Sequence, residues 1–218
     1  RRSVEGAVWL EDSQGVRIEN AILGLRSGLW SPDHKRLTLL MDPGRVKTGL
    51  TTNVNMGLAL EPGKTVHLVI GGDARNAYGL KMGSRYRKSY QVTISDNKPP
   101  HPRDWQIDKP KANTRQPLVI QFTEPIDHAL AQTQIHLTDG EGNVIEGEFR
   151  SKNYEQGFSF LPKSVWQQGK HHLVVDARLE DTAANSVRGV FDKNQNDHWL
   201  PAEDRYVRRS IHITELTP

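Results

Sequence analysis

The residues of this 218-residue chain best spaced to hold a metal ion lie near its end. Asp192-Lys193-Asn194-Gln195-Asn196-Asp197, followed by Glu203, puts oxygen donors at positions one, three, five and twelve, the spacing a calcium loop uses. Asp192, Asn194, Asn196 and Glu203 are therefore the candidate calcium ligands, and no other cofactor is expected. Asp197 stands where such a loop needs Gly for its sharp turn, and no helical pattern flanks it, so the competing reading is a solvated polar insertion.

Nine histidines invite a zinc or copper reading. On a strand, however, the neighbours His171 and His172 point to opposite faces and cannot chelate one ion together. No H-E-x-x-H or H-x-H occurs, so any such site needs ligands from distant segments.

A second kind of chemistry is suggested where Arg75, Lys81, Arg85, Arg87 and Lys88 interleave with Tyr78, Tyr86 and Tyr90. Cations mixed with aromatic rings suit phosphate, nucleic acid or acidic polysaccharide. Arg75, Tyr78, Arg85, Tyr86, Arg87 and Lys88 are the candidate ligand-binding residues. At period two, Arg85 and Arg87 share one face while Tyr86, Lys88 and Tyr90 share the other. The competing reading is an edge strand guarded by charge against sheet-to-sheet association.

Nucleophilic or acid–base catalysis has little to work with. The acid pairs Glu180-Asp181 and Glu203-Asp204 are sequence neighbours, and on an extended chain they face apart. G-x-S-x-G, Walker and dinucleotide motifs are absent, so no enzyme is expected. With no cysteine there is no disulfide, thiolate metal site or thiol nucleophile.

Charge is uneven: residues 1–97 hold 14 basic against 9 acidic side chains, and residues 98–218 hold 15 against 17. The first half attracts anions, yet the whole chain, at net +3, is not expected to bind nucleic acid specifically. No apolar run approaches the roughly 18 residues of a membrane span.

The elements that must carry these side chains read as one unit written twice. Val8-Trp9-Leu10, the turn Glu11 to Gly15 and Val16-Arg17-Ile18 form a hairpin pattern that returns as Ile135-His136-Leu137, Thr138 to Gly142 and Asn143-Val144-Ile145. Asp and Gly keep a three-residue spacing in both turns. Leu37 to Pro43 has its counterpart in Phe158 to Pro162. Pro62-Gly63-Lys64 with the strand Thr65 to Ile70 matches Gln168-Gly169-Lys170 with His171 to Asp176. Gly79 lies sixteen residues beyond Gly63 and Asn185 sixteen beyond Gly169, which predicts one left-handed turn at both positions. Tyr90 to Ile94 and Val207 to Ile213 close the copies as alternating strands.

Between the copies, Ser95 to Trp105 carries Pro99, Pro100 and Pro102, which predicts an extended, semi-rigid spacer. Helix is expected at most near Asp127 to Ala131 and Lys163 to Gln168. Residues 44–57 have no counterpart in the second copy; as a long loop beside Trp30, they are where a site of the first copy's own is expected.

Ile120-Gln121-Phe122-Thr123-Glu124-Pro125-Ile126-Asp127, the hairpin Thr138 to Ile145, Phe158 to Pro162, Gly169 to Val175 and Asp181-Thr182-Ala183-Ala184-Asn185 together resemble the bacterial immunoglobulin-like domain of S-layer and other surface proteins. The resemblance covers residues 110–190 well and 8–95 more loosely. Ala184 stands where that family favours Gly, and Thr123 where it favours Ser. It implies an all-β chain of two immunoglobulin-like antiparallel β-sandwiches in tandem, over 1–97 and 98–218. It further implies a non-catalytic structural or interaction module of an exported bacterial protein, periplasmic or on the cell surface, with a protein or cell-surface polymer as partner. The alternative is an accessory domain that binds polysaccharide or another anionic partner.

About twenty residues, Asn113 to Gln134, precede the second hairpin, but only Arg1 to Ala7 precede the first. The first sandwich is therefore expected to lack its opening strand or strands. An upstream segment of its own precursor, or a strand from a neighbouring chain, is expected to fill that edge.

Overall fold

The computed structural model describes residues 6–25, 28–31, 33–76, 78–192 and 204–215. The chain is β-rich, its strands lie in several antiparallel sheets, and it divides into two compact units, Arg1–Ser95 and Asp96–Pro218.

In the first unit the elements are β1 (Val8–Glu11), β2 (Arg17–Ile18), β3 (Leu29–Trp30), β4 (Leu37–Thr38), α1 (Pro43–Val46), α2 (Thr51–Met56), β5 (Thr65–Ile70) and β6 (Tyr86–Gln91). One antiparallel sheet runs β2-β1-β5-β6, and β3 pairs with β4 in a second. Leu10, Ala21 and Ala59 form a small core, joined by the partly buried Ile18, Met41 and Leu68.

Residues 44–57 were expected as a loop but fold into two short helices. Asp42 caps α1, accepting from the Gly44 N–H at 2.7 Å, and Pro43 follows at the first helical position. Pro43, the sequence counterpart of Pro162 at the end of β11, thus starts a helix rather than ending a strand. Arg45 is buried, and its guanidinium donates to the carbonyls of Glu19, Met56 and Gly57. It holds the helices to the turn after β2.

The second unit contains β7 (Gln106–Asp108), β8 (Leu118–Gln121), α3 (His128–Gln134), β9 (Ile135–Thr138), β10 (Gly147–Lys152), β11 (Gly157–Pro162), β12 (Gly169–Asp176) and β13 (Tyr206–Ile213). Two antiparallel sheets, β10-β11-β8-β7 and β13-β12-β9, bury their side chains in one core. Leu118, Ile120, Phe158 and Phe160 enter it from the first sheet; Ile135, Leu137, Leu173, Val175 and Ile211 enter from the second. Ring centroids lie 4.5 Å apart for Trp105 and Phe122, 5.7 Å for Phe122 and Phe158, and 5.9 Å for Phe160 and Trp166.

Two local expectations change here. The proline segment is no free spacer: Pro99, Pro100 and Pro102 are buried, Trp105 enters the core, and Arg209 donates to the Pro102 carbonyl at 2.7 Å. Lys163 to Gln168 is not helical, because the Trp166 N–H and C=O pair with Thr114 and Asn113 at 2.9 and 2.8 Å and draw its ring into the core.

The duplicated hairpin is built from identical bonds. Asp12 Oδ1 accepts from the N–H groups of Gln14 and Val16, and Asp139 Oδ1 from those of Glu141 and Asn143, all at 2.9 Å. Gly15 and Gly142 take the left-handed conformation these turns require, at φ 83° and 94°.

The ladders also share a register, one residue away from the alignment read in the sequence. Leu10 pairs with Leu68 and Leu68 with Lys88; Leu137 pairs with Leu173 and Leu173 with Arg209. Lys64, not Gly63, thus corresponds to Gly169, and the equal sixteen-residue spacing was coincidental. The following turn agrees. Asn76 Oδ1 accepts from Tyr78 and Leu80 as Asp181 Oδ1 accepts from Ala183 and Asn185, and bridges Arg75–Lys81 and Glu180–Ser186 close the two loops. The left-handed residues are Gly79 and Ala184, at φ 86° and 68°, rather than Asn185.

Candidate functional site

Directly paired residues of an antiparallel ladder share a face. On β1-β5-β6 the inner face carries Leu10 and Leu68, which leaves Trp9, Val69 and Arg87 in one row of the outer face and Glu11, His67 and Ser89 in the next. On β9-β12-β13 the matching outer rows are His136, Val174 and Arg208, then Thr138, His172 and Ser210. The same scaffold therefore presents two different sets of polar side chains.

The first unit's outer face is closed by its own groups. The Glu11 carboxylate, only 6% exposed, accepts from the Trp9 indole N–H at 2.9 Å and pairs with Arg85 and, at 3.5 Å, with Arg87. The indole bond and the two guanidiniums hold its carboxyl below the usual range, against the opposing effect of burial. Arg17 and Arg85 place their guanidiniums 5.6 and 5.7 Å from the Trp9 ring centroid. Val69 beneath is fully buried.

His67 Nδ1 and Ser89 Oγ lie 2.9 Å apart beside Glu11, the residue types of a hydrolase triad. The wiring differs from a relay: a triad serine faces Nε2 while the carboxylate orients Nδ1. Here Ser89 occupies Nδ1 and the Glu11 carboxylate is bonded to Trp9, Arg85 and Arg87.

The second unit's outer face is open. His136 replaces Trp9 and Thr138 replaces Glu11, and a cavity of about 300 Å³ opens between His136, Thr138, Glu141, His172, Tyr206 and Arg208. His172 Nδ1 lies 3.4 Å from the Asp139 carbonyl. Arg208 is exposed and, among the described residues, has no carboxylate partner.

A separate cluster gathers Asp96, Glu124 and Asp181, each offering an oxygen within 4.8 Å of the others. Glu124 and Asp181 come from two of the five stretches that carry the family resemblance, and Asp96 from the proline segment. Asn185 donates to Asp181 Oδ2 at 2.9 Å and to the Asp96 carbonyl at 3.2 Å, tying the turn together. Burial, then the Asp181 and Asp96 charges, push the Glu124 carboxyl up to about 7. Burial also raises Asp181, against the bonds it accepts from Asn185 and Ala183. Three such oxygens are the donor type that hard divalent cations use, and a shared proton is the other way to relieve their repulsion.

The six candidate ligand-binding residues do not converge. Arg85 and Arg87 turn to Glu11; Tyr86 and Lys88 sit on the opposite side of β6, where Lys88 lies 5.1 Å from the Tyr90 ring. Arg75 donates to the Gly79 carbonyl at 2.8 Å in the turn after β5, and Tyr78 stands exposed on that turn. Of the candidate calcium ligands only Asp192 is among the described residues; Asn194, Asn196 and Glu203 lie outside them. Among the described residues no helix is long and apolar enough to cross a membrane.

The cavity was not legible in the sequence because its members come from three strands and a hairpin turn, and Asp96 was not because it lies in the proline segment expected as a spacer. The one usable signal was the repeat itself, whose hairpin alignment sets Thr138 against Glu11 and His136 against Trp9. No family model matches this chain, and no curated protein matches it.

Proposed function

We propose that this chain is a non-catalytic interaction module of an exported bacterial protein, made of two immunoglobulin-like sandwiches in tandem. The observation that carries this reading is one hairpin-and-ladder unit built twice in one register, with Leu10 and Leu68, then Leu137 and Leu173, kept on its inner face and its outer face rewritten. Repetition that preserves a scaffold while changing a face is what binding and spacer modules need, and function then resides in the face. Export and a bacterial surface rest on the sequence resemblance, with which the lack of cysteine agrees. Immunolabelling of intact and lysed bacteria tests it: label on intact or outer-membrane-permeabilised cells is expected, and label confined to the cytosol overturns it.

A second reading, an accessory domain for an anionic partner, is favoured by a specific feature. Arg208 stands uncompensated beside two imidazoles on the second unit's outer face.

A further inference from the structure

We infer that the cavity on the outer face of β9-β12-β13 is a carboxylate-binding site that receives a uronic-acid residue of an acidic polysaccharide. The inference deepens the second reading above and rests on it. It starts from the duplication, because the first unit shows what the equivalent arginine does when a carboxylate is at hand. Arg87 pairs with Glu11, and each occupies the ladder position that Arg208 and Thr138 occupy in the second unit. Replacing Glu11 by Thr138 removes the carboxylate and leaves the guanidinium. Replacing Trp9 by the smaller His136 removes the indole that would fill the space, and a cavity of about 300 Å³ results.

The remaining groups suit a hydroxylated ligand. His136 and His172 present ring nitrogens, Thr138 a hydroxyl, and Tyr206, 41% exposed with the Arg205 guanidinium 5.2 Å from its ring centroid, a phenol and an aromatic ring. A guanidinium recognises a carboxylate through two parallel N–H bonds, and a sugar ring adds hydroxyls for the imidazoles and an apolar face for the tyrosine. Glu141 also lines the cavity, its carboxylate 3.4 Å from Asn143 Nδ2, and disfavours a second negative charge. That points to a singly charged group such as a carboxylate rather than a phosphate dianion. An acidic peptide fits less well: peptides add at strand edges through main-chain bonds, whereas this cavity spans the face of three paired strands.

The test is calorimetric titration of the full chain with trigalacturonate, the neutral trigalactose and a triglutamate peptide. Trigalacturonate is expected to bind at least about tenfold more tightly than either of the others. Arg208→Ala, at an exposed position, should weaken trigalacturonate by about tenfold or more, and Glu141→Gln should strengthen it. Thr138→Glu installs the first unit's carboxylate beside Arg208 and should abolish binding. Its folding is checked by heteronuclear NMR, and Arg208→Ala carries the same conclusion if it does not fold. Equal binding of the neutral sugar, stronger binding of the peptide, or no response to Arg208→Ala overturns the inference. Each of these would leave the module reading standing, since that depends on where the protein is found in the cell.

Discussion

The outer faces of β1-β5-β6 and β9-β12-β13 differ by two substitutions that matter, Trp9 for His136 and Glu11 for Thr138, on ladders of the same register. In the first unit a buried carboxylate ties an indole and two arginines into a closed surface. In the second, Thr138 takes the place of that carboxylate and an arginine is left facing water. Charge compensation within the chain closes a face, and its removal opens one, while the apolar inner residues keep the fold.

The cores differ as well, and the largest expected effect follows from this. Leu173 is fully buried between two sheets, whereas its counterpart Leu68 is only partly buried in a smaller cluster. Leu173→Ala should cost about 3 kcal/mol and Leu68→Ala about 1 kcal/mol. Hydrogen exchange followed separately in the two units measures both, and equal losses would break the comparison of cores.

The turn after each ladder's second strand gives the next contrast, since Asn76 stands in the first unit where Asp181 stands in the second. Only the second can therefore build an acidic cluster there, with Glu124 at about 7 against an ordinary 4.5. Because the folded value is raised, stability is fully present below about pH 4.5 and is lost as pH rises through about 7. The second unit should lose about 2 kcal/mol between pH 5 and pH 8, after allowance for solvent screening. Denaturation at several pH values should show this slope in the native chain and a much shallower one in Glu124→Gln, since Glu180 and Asp181 are also raised. A slope that survives the substitution unchanged would assign it to another group.

Exchanging the outer-face residues sharpens the first comparison directly. Glu11→Thr leaves Arg85 and Arg87 without their partner and the half-buried Trp9 N–H without its acceptor, and should destabilise the first unit by about 2 kcal/mol. Thr138→Glu supplies Arg208 with a partner from a position only 9% exposed, and should change the second unit by less than about 1 kcal/mol because the new ion pair offsets the burial of the carboxylate. Similar effects in the two units would mean that Glu11 contributes nothing beyond a surface ion pair.

The smallest effect concerns the left-handed turns. Gly79 is relaxed at φ 86°, but Ala184 holds φ 68° against its Cβ. Ala184→Gly should stabilise the second unit by up to about 1 kcal/mol, read as a rise in thermal midpoint. A fall would show that the Ala184 methyl packs usefully.

What the chain's order of residues determined was local. Asp12 to Gly15 and Asp139 to Gly142 make their turns from bonds spanning at most four residues, so type and spacing sufficed to find them. The β-branched runs Thr65 to Ile70 and His171 to Val175 announced strands, but not which face is buried: Val69 on the outer face is fully buried while Leu68 on the inner face is only partly so. The Asp127 cap on α3 was likewise visible as a helix start near that residue.

Register, by contrast, belongs to pairs of strands far apart in sequence, and a shift of one residue leaves every local pattern intact. Gly63 with Gly169 looked right by spacing, and only the pairing of Leu10 with Leu68 and Leu137 with Leu173 showed it to be one residue out. Which cations are neutralised is decided at the same level. Arg87 and Arg208 read alike as basic strand residues, and a carboxylate from β1, 76 positions before Arg87, makes one part of a closed surface while its absence from β9 leaves the other open. Asp96 meets Glu124 and Asp181 through folding of the proline segment onto the second unit's turns, with Asn185 bonded to both sides. Short-range turn chemistry is encoded in a few consecutive residues, whereas burial and charge pairing depend on which strands lie side by side.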